Sequence, residues 1–120
     1  MATHTTPTSR LSSTQTLLTA LKPGLRHAHP TPPGSGDAWL LADLARASRQ
    51  TLVILCANPL AAQRLAEETL LFAPELRIRQ LPDWETLPYD SFSPHQDLIS
   101  ERLHTLHALM QETVDILTVP

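Results

Sequence analysis

Two stretches of the chain are apolar almost without interruption, and several others repeat their apolar residues at helical spacing. The run TLVILCA, residues 51–57, is rich in β-formers and unpatterned, as expected of a strand covered on both faces in a parallel sheet. VDILTV at 114–119 has the same character. Because both runs need cover on two faces, residues 51–56 and 114–119 are expected to be neighbouring or near-neighbouring parallel strands. Between them ELRIRQL, residues 75–81, offers another strand, with Arg77 and Arg79 on one face and Leu76 and Ile78 on the other.

The helices are marked by their ends as much as by their periodicity. TQTLLTALKPG, from Thr14, predicts a short helix stopped by Pro23 and Gly24. Leu40, Leu41, Leu44 and Ala47 predict an amphipathic helix over 38–49, with Arg46 and Arg49 near its C-terminus where they favour the dipole. Asn58 is a fitting N-cap and Pro59 a fitting first-turn residue, so PLAAQRLAEETLLF should begin a helix at once. Ser93, Pro94 and Gln96 match the N-cap, first-turn proline and third-position partner of a capping box, and Ile99, Leu103, Leu106 and Met110 then make the stripe expected to be buried. The order α, α, β, α, β, α, β implies an α/β fold of three layers, a mostly parallel sheet with flanking helices and right-handed crossovers.

Composition limits what such a unit can be. With 120 residues, of which 42% are hydrophobic and 18% charged, the chain can bury one core and not two. Residues 1–12, rich in Thr, Ser and Pro, read as a disordered tail, and 13–120 as one α/β subdomain. Only three strands are convincing and no helix follows the last, so the sheet reads as incomplete at the C-terminus, an N-terminal piece of a longer protein. A net charge of −3 argues against a duplex-binding surface. The single cysteine, Cys56, falls in the apolar run and reads as a core filler. No apolar run approaches the roughly 18 residues of a membrane span, and the N-terminus lacks the apolar centre of a secretory signal, so a cytoplasmic protein is expected with no membrane partner.

Candidate chemistry gathers first at PPGSGDAW. Gly34, Ser35 and Gly36 stand directly before a helix, where a nucleotide-binding loop holds phosphate on backbone N–H groups. The full motif fails: with Gly36 as its second glycine, Thr31 replaces the first, Asp37 the lysine and Ala38 the magnesium-binding hydroxyl. The only lysine, Lys22, lies outside it. A plain turn opening a helix explains the same residues. His27 with His29, and His104 with His107, are close in sequence, but solvated side chains account for them as well as a metal site does. Ser91, Ser93 and His95 suit turn and cap chemistry better than a nucleophile and base. No catalytic, cofactor-binding or metal-binding residue is therefore assigned.

One segment is distinctive in its wording. LPDWETLPYDSFSPHQDLISERL, residues 81–103, holds three of the chain's five aromatics, Trp84, Tyr89 and Phe92, among Asp83, Glu85 and Asp90. Structurally it suffices that the rings fold down as a lid on the sheet edge while the acids stay wet. The run from Asp83 to Leu106, with Trp84, Glu85, Tyr89, Asp90, Phe92, Ser93, Pro94 and Gln96, strongly resembles the N-terminal region of the bacterial transcription-repair coupling factor (Mfd) family. A looser likeness extends from about Leu25 to the end.

The resemblance implies a multidomain DNA translocase that uses ATP and magnesium in its motor domains. Such a protein displaces RNA polymerase stalled on damaged DNA and recruits UvrA for nucleotide excision repair. It also implies that this module is similar to domain 1a of the excinuclease protein UvrB, a helicase-like P-loop fold, with its ATP site lost at Thr31–Ala38. The acidic aromatic loop would then be a shortened remnant of a DNA-gripping hairpin, used for packing, since three carboxylates repel phosphate. On this expectation the chain is a non-catalytic scaffold fragment, and UvrA, RNA polymerase and DNA are partners of the whole protein, with no contact residue assigned in this chain. An active UvrB-like nucleotide-binding domain and a free-standing protein-interaction module remain the alternatives.

Overall fold

The computed structural model describes residues 8–83, 96–111 and 113–120. Four helices and three strands alternate as α1 (Thr8–Ala20), α2 (Gly36–Ser48), β1 (Leu52–Leu55), α3 (Pro59–Phe72), β2 (Ile78–Gln80), α4 (Gln96–Gln111) and β3 (Ile116–Val119). The strands form one parallel sheet in the order β1-β3-β2. Leu52 stands beside Ile116 and Leu55 beside Val119, so the two apolar runs are the parallel neighbours expected of them.

Local chemistry accounts for most boundaries. The Asn58 side chain accepts a hydrogen bond from the Ala61 amide at 2.8 Å, and Pro59 occupies the first turn of α3. Helix α2 ends on Arg49 in the left-handed conformation (φ 54°), a place more often given to glycine. It starts at Gly36, two residues ahead of the expected 38. Helix α1 takes in residues 8–12, assigned by composition to the tail, and is fastened further along by Thr14, buried with its hydroxyl 2.6 Å from Asp43 Oδ2. Gln96 is the first residue of α4; the rest of the capping box, Ser93 and Pro94, and the aromatics Trp84, Tyr89 and Phe92 with Glu85 and Asp90, lie outside the described residues.

The register divides the sheet into two faces. Leu52, Ile54, Ile78 and Ile116 share one face and meet Ala42 and Ala45 of α2, with Ala73 and Leu76 closing the core beside them. Alanine dominates this contact: Ala38, Ala42, Ala45 and Ala62 are all buried, which lets α2 and α3 approach each other and the sheet closely. The path from β1 to β2 crosses past β3, and the path from β2 returns to it. Right-handed crossovers in opposite directions place α3 and α4 on opposite faces. Helix α4 is tied to β2 through the Thr105 hydroxyl, 3.1 Å from the Gln80 carbonyl, and through Arg102, which donates to the Pro82 carbonyl.

Three expectations need correction. The apolar run at β1 is not covered twice: among the described residues β1 is an edge strand, and Val53 and Leu55 are 60% and 80% exposed on the face away from α2 and α3. Doubly covered character belongs to β3, where Ile116, Leu117 and Thr118 are all buried. The α4 stripe is turned outward, Leu103, Leu106 and Met110 being exposed, because the helix docks on the small side chains Thr105 and Ala108. Cys56 is half-buried at the end of β1, its thiol 3.8 Å from the Ile54 carbonyl, since the edge strand offers no second layer to enclose it. Among the described residues no helix is long and apolar enough to cross a membrane.

Both ends of the sheet are closed by backbone bonds onto β3. Below it, Asp115 accepts from the Leu52 amide through its carbonyl (2.9 Å) and from the Arg77 amide through its side chain (2.7 Å). Above it, the Cys56 and Leu81 amides donate to the carbonyls of Val119 and Thr118 at 2.7 and 2.9 Å. Truncating the central residue, Ile116→Ala, should therefore lower stability by about 2–5 kcal/mol in urea unfolding. Thr118 is fully buried and, among the described residues, its hydroxyl has no hydrogen-bond partner. Thr118→Val, similar in shape but without that hydroxyl, should raise stability by about 1 kcal/mol in the same titration.

Candidate functional site

The residues Thr31–Ala38 form the turn that opens α2, and their glycines have distinct reasons to be glycine. Gly34 adopts a left-handed conformation (φ 60°), which a side chain would strain. At Gly36 a Cβ would lie 2.7 Å from the Pro32 Cβ, closer than real atoms approach. The Gly36 amide donates to Pro33 O at 3.1 Å and the Trp39 amide to Ser35 O at 3.1 Å, so the helix is under way within a single turn. Ser35 stands at the N-cap position, yet its side chain makes no capping bond.

Asp37 supplies the negative charge that the helix N-terminus favours. Its Oδ1 accepts from the Ala38 amide at 2.7 Å, and its Oδ2 accepts from Arg64 of α3 at 2.9 Å. Arg64 also reaches Glu68 at 2.7 Å, so one guanidinium joins two carboxylates and fastens α3 to the start of α2. Burial pushes the Asp37 carboxyl up, but the Arg64 hydrogen bond and the Ala38 amide outweigh it and hold the group below its usual value of 3.8. The anion at this helix end is the protein's own. Among the described residues no strand precedes the turn, residues 21–35 being irregular or turn, whereas a phosphate-binding P-loop rises from the end of a strand.

Beside the turn, Ser35, Gly36, Trp39 and Phe72 line an open groove of about 430 Å³. Both rings are half-exposed, at 40% each. Arg46, on the same side of α2, donates to the Phe72 carbonyl at 3.2 Å and to Glu75 at 2.5 Å. Sequence reasoning missed Trp39, Phe72, Arg46 and Arg64 as a group, because α2 and α3 meet only through the fold. The one available signal was a second tryptophan, Trp39, set in the first turn of an amphipathic helix beside the glycines.

The other candidates do not converge. His27 and His29 are exposed neighbours with ring centroids 6.5 Å apart, and His104 and His107 are exposed on α4. Among the described residues no group of three or more His, Cys, Asp and Glu could hold a metal ion. The Cys56 thiol is pushed up by burial, with the Arg64 charge pulling the other way, which leaves it a poor nucleophile at neutral pH. Asp83 is exposed at the last described position after β2, and Gln96 is exposed at the start of α4.

The Asp37–Arg64 bridge makes a pH prediction. A carboxyl with a lowered folded-state value adds stability that is complete above the ordinary value of 3.8 and is lost as pH falls through the lower folded value. Arg64→Met should raise the Asp37 titration midpoint, followed by NMR of its carboxyl carbon. Because Arg64 is 46% exposed, solvent screens the pair, and the accompanying loss of stability at pH 7, read by urea unfolding, should be small.

Comparison with known proteins supplies what the site's geometry does not. No family model matches the chain. The transcription-repair-coupling factor of Escherichia coli is 42% identical over 87 residues, which are 72% of this chain and 8% of that protein. The factor of Haemophilus influenzae is 35% identical over 88 residues, again 8% of its length, and that of Rickettsia bellii 30% identical over 78 residues, 7% of its length. The chain thus spans about 8% of the length of these two curated relatives. On this likeness the chain belongs to the transcription-repair coupling factor family.

Proposed function

We propose that the chain is a non-catalytic scaffold segment of a transcription-repair coupling factor. The observation that carries the reading is the 42% identity to the Escherichia coli factor over 72% of the chain. In the whole protein, ATP-driven displacement of stalled RNA polymerase from damaged DNA and recruitment of UvrA for nucleotide excision repair fall to the rest of the polypeptide. ATP and magnesium act in motor domains there, in the cytoplasm. This segment contributes an α/β body with no reaction of its own.

The turn at Thr31–Ala38 is in keeping with that division of labour, and we read it as the remnant of a UvrB-like nucleotide loop that has also lost the strand leading into it. A triphosphate site needs free amides, a lysine and a hydroxyl for magnesium. Here Ala38 stands at the hydroxyl position and its amide is taken by Asp37. The cation nearest that carboxylate, Arg64, is already shared between Asp37 and Glu68. Phosphate would have to displace a carboxylate from its own ion pair before meeting the Arg64 charge.

Isothermal titration with ATP and magnesium tests the reading. No saturable heat is expected at micromolar nucleotide. Micromolar binding that disappears when Gly36 is altered, in a variant whose circular dichroism is unchanged, would replace the scaffold reading with an active UvrB-like nucleotide-binding domain.

A further inference from the structure

Helix α1 is held differently from the rest of the fold. Seven of its 13 residues are Ser or Thr, which are modest helix formers, and neither an acid in the first turn nor a base in the last favours its dipole. A helix this short and this poor in helix formers does not persist alone in water, so its order comes from its seat on α2. That seat is narrow. Of Thr14–Ala20 only Thr14 and Leu17 are buried, and the Thr14 hydroxyl donates to Asp43 Oδ2 at 2.6 Å. Around them the seam is loosely filled. An open cleft of about 310 Å³ is lined by Leu17, Leu21, Leu40 and Leu41, and a second of about 240 Å³ by Leu18, Leu21, Leu44 and Leu52.

The connection to α2 leaves the helix free to move. Residues 21–31 are all exposed, and Pro23, Pro30, Pro32 and Pro33 keep the segment from continuing either helix. Fully extended, residues 21–35 reach about 50 Å.

We infer that α1 is a detachable strap, which leaves α2 as one unit and reseats while α2, α3 and the sheet stay folded. The Thr14–Asp43 hydrogen bond is its latch. Opening returns Asp43 to water and bares Leu40, Leu41 and Leu44, together with Leu52 at the start of β1. The remaining body does not depend on the strap. Its strands are bonded through β3, and α2 is tied to α3 at two places, by Asp37 with Arg64 and by Arg46 with the Phe72 carbonyl. A unit with few buried side chains at the end of an exposed tether belongs to the low-stability end of a structure, where local opening precedes global unfolding.

Hydrogen exchange of the chain under native conditions, followed residue by residue by NMR across low urea, tests this. The amides of Leu18, Ala20 and Leu21 are expected to share one protection factor, about a hundredfold or more below that of Ile116, with a shallower urea dependence because the opening exposes less surface. Thr14→Val removes the latch and should speed exchange throughout α1 about tenfold or more, leaving Ile116 unchanged. Thr16→Val, on the exposed side of the same helix, should alter neither. Exchange of α1 together with Ile116 in one global step would overturn the inference. Protection that declines steadily along α1 with no shared value, or that ignores Thr14→Val, would reduce the strap to end fraying and overturn it too.

Discussion

Among the described residues, β3 is the only strand to which either outer strand is paired. That single constraint organises the rest of the molecule. Ile116 meets Leu52 on one side and Ile78 on the other, so the apolar row on which α2 and α3 rest is continuous only because β3 lies at its centre. Asp115 works at the same place by different means, joining the ends of β1 and β2 through main-chain and side-chain oxygen. Helix packing follows from the sheet: with the alanines of α2 and α3 set against it, few large side chains fill the space, and shape rather than bulk holds the layers together.

What the sequence reveals is what neighbours along the chain determine. The bounds of α3 are legible because Asn58 and Pro59 act within one turn of it. The strands are legible as strands because continuous apolar β-formers have few other uses. Their places in the sheet are not: TLVILCA reads as covered on both faces, yet among the described strands it lies at an edge, since two runs of equal hydrophobicity do not say which one stands between the others. The rotation of α4 is hidden for a related reason. A stripe of Leu103, Leu106 and Met110 advertises a buried face, while the contact made is chosen by Thr105, whose hydroxyl finds the Gln80 carbonyl, and by Ala108, which permits close approach.

The candidate site shows the same boundary between local and distant information. Gly34 and Gly36 mark a turn before a helix, and that is where the turn lies. The role of Asp37 depends on Arg64, 27 positions away and brought to it by the packing of α2 on α3. Read alone, Asp37 is only a wrong residue in a phosphate loop. With Arg64 beside it, the acid completes the helix end and bridges two helices, so the position has an occupation of its own that keeps it acidic.

The order of the strands in space also sets an order in time. During synthesis the two flanking strands leave the ribosome first, and the strand that joins them leaves last. Helices α2 and α3 have local bonds with which to begin, but β1 and β2 wait as unpaired extended segments until Ile116–Val119 is free of the exit tunnel. For that interval the nascent chain carries the apolar run of β1 without its native neighbour. The sheet can close only when the four residues of β3 arrive at its centre.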